Sequence, residues 1–172
     1  MQNLFSYPIE VDGLSASVKK YRIEASSKDL VYLTEVLKVP AVKSCTAEIF
    51  LKHNHREHTL NVTGTVKAEL ELTSVISLEN FDKLYEGEFA LHYDTKATYK
   101  DIRDMEPEFD DDVPDIVEDG KIDLGDIVIE QVALMIDDYP RKDGEVFSFE
   151  SEFDAETTEA MNPFNVLKKL KK

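Results

Sequence analysis

The chain predicts an α+β fold: a single domain with a curved antiparallel β-sheet, open or partly closed into a barrel, and two main α-helices. Three observations carry that expectation. Leu60, Val62, Gly64, Val66, Ala68, Leu70 and Leu72 alternate with Thr59, Asn61, Thr63, Thr65, Lys67, Glu69 and Glu71, the period of a strand with one covered and one wet face. Leu30, Leu33 and Leu37, flanked by Val31 and Val36, follow helical spacing. A run from Ile127 to Ile136 is apolar on nearly every side, interrupted only by Glu130 and Gln131, so it reads as a helix covered on several faces. With 172 residues, 42% of them hydrophobic, the chain is long enough for one domain with a real core.

Residues 5–11 and 21–25 read as short strands, with Asp12-Gly13 starting the turn between them. Ser26 heads a capping box with Asp29, and the first helix ends at Val39-Pro40. Residues 43–52 form an alternating strand, and residues 59–72 a second, long enough that a bend or bulge is expected at Gly64. Tyr85, Gly87, Phe89, Leu91 and Tyr93 supply the next. Residues 101–119 carry two prolines, high charge and no period, as a solvated, mobile acidic loop would. Asp123 is placed to cap the second helix, with Asp126 three residues on, and Pro140 and Gly144 mark where it has stopped. Phe147, Phe149 and Phe153 alternate within an acidic stretch. Phe164, Val166, Leu167 and Leu170 fit a short amphipathic helix in a basic tail at about residues 161–172.

The formal charge of −16 is unevenly spread. Residues 1–100 hold 14 acids and 12 bases, residues 101–160 hold 22 acids and 4 bases, and the last twelve residues hold four lysines. A nucleic-acid binder needs cations to displace counterions from phosphates. The acidic body is therefore a poor RNA-binding surface and a natural counterpart to a basic protein. Its acidity would also serve solubility alone.

A family resemblance runs through these elements. Ile122, Asp123, Leu124, Gly125, Glu130 and Leu134, with the run Asp137-Asp138-Tyr139-Pro140-Arg141-Lys142-Asp143-Gly144, resemble the C-terminal signature of the YceD family, in its alphaproteobacterial branch. Leu78-Glu79-Asn80-Phe81 resembles that family's L-E-P-F element, with Asn80 in place of proline. Residues 37–42 resemble the end of its first helix, and Asn162-Pro163-Phe164 its closing segment. Many members carry C-x-R-C just before L-E; Ser74-Val75-Ile76-Ser77 stand there, so any thiol or metal role of that pair is absent. The resemblance implies a non-enzymatic factor for accumulation of large-subunit ribosomal RNA. Genes of the family often neighbour one for a small basic large-subunit ribosomal protein.

Other chemistry finds little support. His53, His55 and His58 cluster in an expected hairpin turn, but a structural zinc site wants four ligands, and polar residues in an exposed turn explain them better. Residues 115–126 depart from a calcium loop at the third and twelfth places, where Val117 and Asp126 stand. No phosphate loop, nucleotide fingerprint or nucleophile motif is present, and no cofactor is expected. Cys45 alternates with Ala47, Ile49 and Leu51, as a core residue would, and a lone cysteine fits a reducing compartment. Residues 1–5 lack the basic start and apolar run of a signal peptide, and no stretch approaches the ~20 apolar residues of a membrane span. A cytoplasmic protein is expected.

The candidate partner-binding residues are Tyr139, Pro140, Arg141 and Lys142, the basic point of the acidic half, with the acids Asp110, Asp111 and Asp112 and the motif residues Glu79 and Phe81. An exposed Tyr and Arg are typical interface anchors. The alternative is that Tyr139 packs and the two cations favour the helix C-terminus. The expected partner is a basic ribosomal protein or the pre-ribosomal large subunit. An acidic adaptor or nucleic-acid mimic, binding a basic nucleic-acid-binding protein, is the other reading.

Overall fold

The computed structural model describes residues 5–98, 100, 115–117 and 119–148. Asp110, Asp111 and Asp112, most of the expected acidic loop, and the tail with its expected helix lie outside the described residues. The chain divides into two compact units, Met1–Lys142 and Asp143–Lys172. In the second, Gly144 has a positive φ of 82° and Phe147 is exposed.

The first unit runs β1 (Pro8–Glu10), β2 (Lys19–Glu24), α1 (Ser27–Leu37), β3 (Ala41–Asn54), β4 (Thr59–Thr73), β5 (Asn80–Asp94), β6 (Asp115–Ile116), β7 (Lys121–Asp123) and α2 (Leu124–Met135). Five strands form one sheet in the order β2-β3-β4-β5-β6, antiparallel except that β6 joins β5 in parallel. β2 and β6 do not meet, so the sheet is open and not a closed barrel. β1 does not form a hairpin with β2, as its neighbouring turn suggested. It pairs with β7, more than a hundred residues away, as a separate two-stranded ladder.

One face of the large sheet carries the core. Cys45, Ala47, Ile49 and Leu51 of β3, Leu60, Val62, Val66, Ala68, Leu70 and Leu72 of β4, and Tyr85 of β5 are all buried. The alternate residues Thr63, Thr65 and Lys67 face solvent, so period two directly separates core from surface. Burial pushes the Cys45 thiol up to about 11, as expected of a core thiol.

The expected irregularity at Gly64 is absent. Gly64 sits in unbroken register between Ile49 and Phe89, and the Phe89 ring fills the space above it: an added Cβ would lie 2.9 Å from that ring and 2.4 Å from the Glu48 carbonyl. The shift in register falls instead between Val42 and Ser44, near the start of β3.

α1 begins with the expected capping box: the Ser26 N–H donates to the Asp29 carboxylate at 2.8 Å, and the Ser26 hydroxyl accepts from the Asp29 N–H. Leu33 is buried, while Val31 and Val36 point outward. Thr34 ties the helix to the sheet by accepting from the Val42 N–H at 2.9 Å.

α2 is covered on several sides only along its first turns. Leu124, Gly125, Ile127, Val128 and Val132 are buried, whereas Leu134 is 74% exposed. Asp123 caps it, accepting from the Gly125 N–H at 2.8 Å, and also accepts from the Tyr7 N–H at 2.8 Å and the Ser6 hydroxyl. The cap thus fastens the segment before β1 onto the helix start.

The β4–β5 turn and the segment after α2 as a candidate functional site

The turn between β4 and β5 begins at Ser74, which is fully buried. Its hydroxyl accepts from the N–H groups of Ile76 at 3.1 Å and Ser77 at 3.3 Å, a local turn that serine forms readily. The Leu78 N–H donates to the Ser74 carbonyl at 3.0 Å, and the Ser74 N–H to the Glu79 carbonyl at 2.9 Å. Closing so tight a loop puts Leu78 in the left-handed region, φ 59°, which disfavours a leucine. Leu78 is also 77% exposed, so the apolar side chain gains no burial in return.

The chain leaving α2 lies against this turn. The Val75 N–H donates to the Pro140 carbonyl at 2.8 Å, and the Lys142 ammonium pairs with Glu79. One turn earlier, Asp137 accepts from Lys83 at 2.6 Å and from the Tyr85 hydroxyl at 2.9 Å. The Lys83 ammonium, with the Tyr85 hydroxyl, holds the Asp137 carboxyl below the usual carboxylate range. Burial and the bond to Asp137 push the Tyr85 phenol up.

These ties leave a defined set of side chains outside. Tyr139 is 74% exposed, Val75 is half exposed, and Leu78 and Arg141 are exposed. Of the residues proposed from sequence, Tyr139, Pro140, Arg141, Lys142 and Glu79 come together. Phe81 does not share their exposure: paired opposite Leu72, it packs against the core. Tyr139 does not pack inward, and Lys142 serves as a tether to Glu79. Sequence reasoning placed Val75 and Leu78 in motifs but not among the contact residues, although an apolar residue beside serines in a tight turn was the available signal.

The tether around Asp137 gives a prediction. A depressed carboxylate pKa contributes stability above the unfolded value near 3.9 and loses it as pH falls through the folded value. Asp137→Asn should cost about 0.5 kcal/mol at neutral pH, as exposed pairs do. In urea titrations that difference should persist from about pH 8 to pH 5 and close below about pH 4.

His53 corrects an expectation. It lies in β3 and is buried rather than in an exposed turn, with its ring 4.0 Å from that of His55, and its Nδ1 has no hydrogen-bond partner. Burial, then the neighbouring His55, lowers its pKa, as expected of a neutral core histidine. His55 Nε2 lies 2.9 Å from the Leu14 carbonyl. Among the described residues, no group of three or more His, Cys, Asp or Glu side chains is arranged to hold a metal ion. Nor is any helix among them long and apolar enough to cross a membrane. The described part of residues 115–126 builds β6, β7 and the first turn of α2.

No curated protein and no solved structure matches the chain. One family does. Its sequence model, described as large ribosomal RNA subunit accumulation protein YceD, matches residues 62–171. That span takes in most of β4, the Ser74–Glu79 turn, α2 and the segment from Asp137 to Lys142. The match covers more than half of the sequence, and the chain belongs to the YceD family.

Proposed function

We propose that this protein promotes accumulation of large-subunit ribosomal RNA, and with it assembly of the large ribosomal subunit, by binding rather than by catalysis. Its partner in this reading is a basic ribosomal protein, met in the cytoplasm before or during its placement on the subunit. The observation that carries the reading is the meeting of two distant segments. Glu79 and Lys142, 63 residues apart, join to hold Val75, Leu78, Tyr139 and Arg141 outward at the β4–β5 turn. Exposed Tyr and Arg beside apolar side chains form the kind of centre that dominates interface energies. The 22 acids of residues 101–160 would attract a cationic partner and repel free RNA.

Replacing the acids of residues 101–112 by asparagine and glutamine, which leaves β6 in place, tests the acidic contribution. Affinity for a basic large-subunit ribosomal protein should fall at low salt, and its dependence on salt should flatten. Unchanged affinity with an unchanged salt slope would overturn this mechanism. If RNA or DNA competed for the same partner, and loss of the protein left the large subunit intact, the chain would be a nucleic-acid mimic instead.

A further inference from the structure

The five-stranded sheet ends on two unlike edges. β2 is six residues long and carries Lys19, Lys20 and Arg22, the short, cationic form by which proteins blunt an edge against pairing. β5 is fifteen residues long, and β6 pairs only with Tyr93 and Asp94. Among the described residues, the backbone from Asn80 to His92 has no partner strand on the side away from β4. It contains no proline, and its register against β4 is unbroken, so neither a proline nor a bulge interrupts this edge, and its protection is left to charge.

The side chains of this edge are sorted by face. Asp82, Glu86 and Glu88 are exposed on the open side of the sheet, where Asp82 pairs with Lys43 at 2.5 Å and Glu86 with Lys67 at 3.3 Å, exposed pairs that a strand bringing its own cations can join or replace. Tyr85, Phe89 and Leu91 turn toward the core. We propose that the β5 edge takes an extended segment of a partner protein as an added strand, one in which lysines or arginines alternate with apolar residues. Strand addition supplies affinity through main-chain hydrogen bonds and selectivity through alternate side chains. Period two puts the cations of such a strand beside Asp82, Glu86 and Glu88, and its apolar residues beside the layer of Tyr85, Phe89 and Leu91.

Charge excludes a second copy as the occupant. β5 holds four acids and one base, Lys83, whose ammonium already lies 2.6 Å from Asp137. Two such strands edge to edge would bring acid beside acid, Glu86 and Glu88 foremost, with only the exposed pairs of Asp82 to Lys43 and Glu86 to Lys67 to offset the repulsion. The acids that admit a cationic strand therefore also guard the edge against self-association. This inference rests on the basic partner proposed above and gives it a binding mode.

The test uses the full chain, isotope-labelled, at low salt. One probe is a synthetic peptide of eight alternating lysines and valines; the other has the same charge with prolines in place of two valines. The alternating peptide should shift the edge-facing amides between residues 80 and 92 and slow their hydrogen exchange about ten-fold, while the proline peptide should not. The double variant Glu86→Lys with Glu88→Lys should weaken binding about ten-fold as attraction turns to repulsion. Equal binding of the two peptides would overturn strand addition. So would amides already protected in the free protein, whether by its own residues at all concentrations or by a second copy as concentration rises. If the peptide fails but a basic ribosomal protein still binds and needs the acids of residues 101–112, the edge proposal falls and the basic-partner reading stands.

Discussion

Gly125→Ala should destabilise the folded chain by about 3 kcal/mol or more, the upper range for forcing extra atoms into a packed site. An added Cβ at Gly125 would lie 2.0 Å from the Phe5 carbonyl oxygen and 2.9 Å from its carbon. Neither neighbour can yield cheaply, because both are backbone. Phe5 is fully buried and packs edge-on against Tyr7, with ring centroids 5.3 Å apart. Tyr7 in turn is held from both sides, its N–H on Asp123 at 2.8 Å and its carbonyl on the Leu124 N–H at 3.1 Å. Relief of the clash must therefore undo the cap of α2 or lift Phe5 from the core. Gly13→Ala is the control: the nearest atom to its added Cβ is 3.6 Å away, and its unfolding midpoint should match that of the parent within about 0.5 kcal/mol. Denaturant unfolding of the three chains decides it, and equal midpoints for all three would refute this account of Gly125.

The same residue marks how far the fold could be read from sequence. The strands β3, β4 and β5 were legible because each repeats a period-two pattern long enough to outweigh local accidents. The capping box of α1 was legible because its partners are three residues apart. Pairing of β1 with β7 was not, since each strand has three residues and a local turn offered β1 a nearer partner. Gly125 fell inside a motif, but only the approach of Phe5 explains why no side chain fits there. Gly64 misled for a related reason. Glycine in a strand signals either a bulge or a close neighbour, and the Phe89 ring that decides between them lies 25 residues further on.

The candidate site was legible as parts and not as a whole. Tyr139, Arg141 and Glu79 stood out by motif and charge, whereas Val75 and Leu78 became contact residues only through their exposure. The hydrogen bond between Val75 and Pro140 joins segments that no periodicity connects. Phe81 was drawn in by sharing a motif with Glu79, but Glu79 ends the turn, whereas Phe81 lies within β5 opposite Leu72 and on the core face.

Tyr139→Ala should weaken partner binding about thirty-fold, the loss typical of a central aromatic anchor. It should change folding stability by no more than about 0.5 kcal/mol. Both expectations follow from the same geometry. Tyr139 is 74% exposed, so its ring contributes little burial to the folded chain and remains available to a partner. Its neighbours keep their positions without it, because the anchor at Pro140 is a main-chain carbonyl and the anchors at Asp137 and Lys142 lie to either side. Tyr139→Phe separates ring from hydroxyl: retained binding assigns the affinity to the apolar ring, and loss assigns it to a hydrogen bond. The measurement is affinity for a purified basic large-subunit ribosomal protein, with large-subunit ribosomal RNA levels in cells carrying each variant as the second readout. Full binding and normal ribosomal RNA with alanine at this position would remove the turn and the segment after α2 as the contact, leaving the acidic segment and the β5 edge to carry the partner.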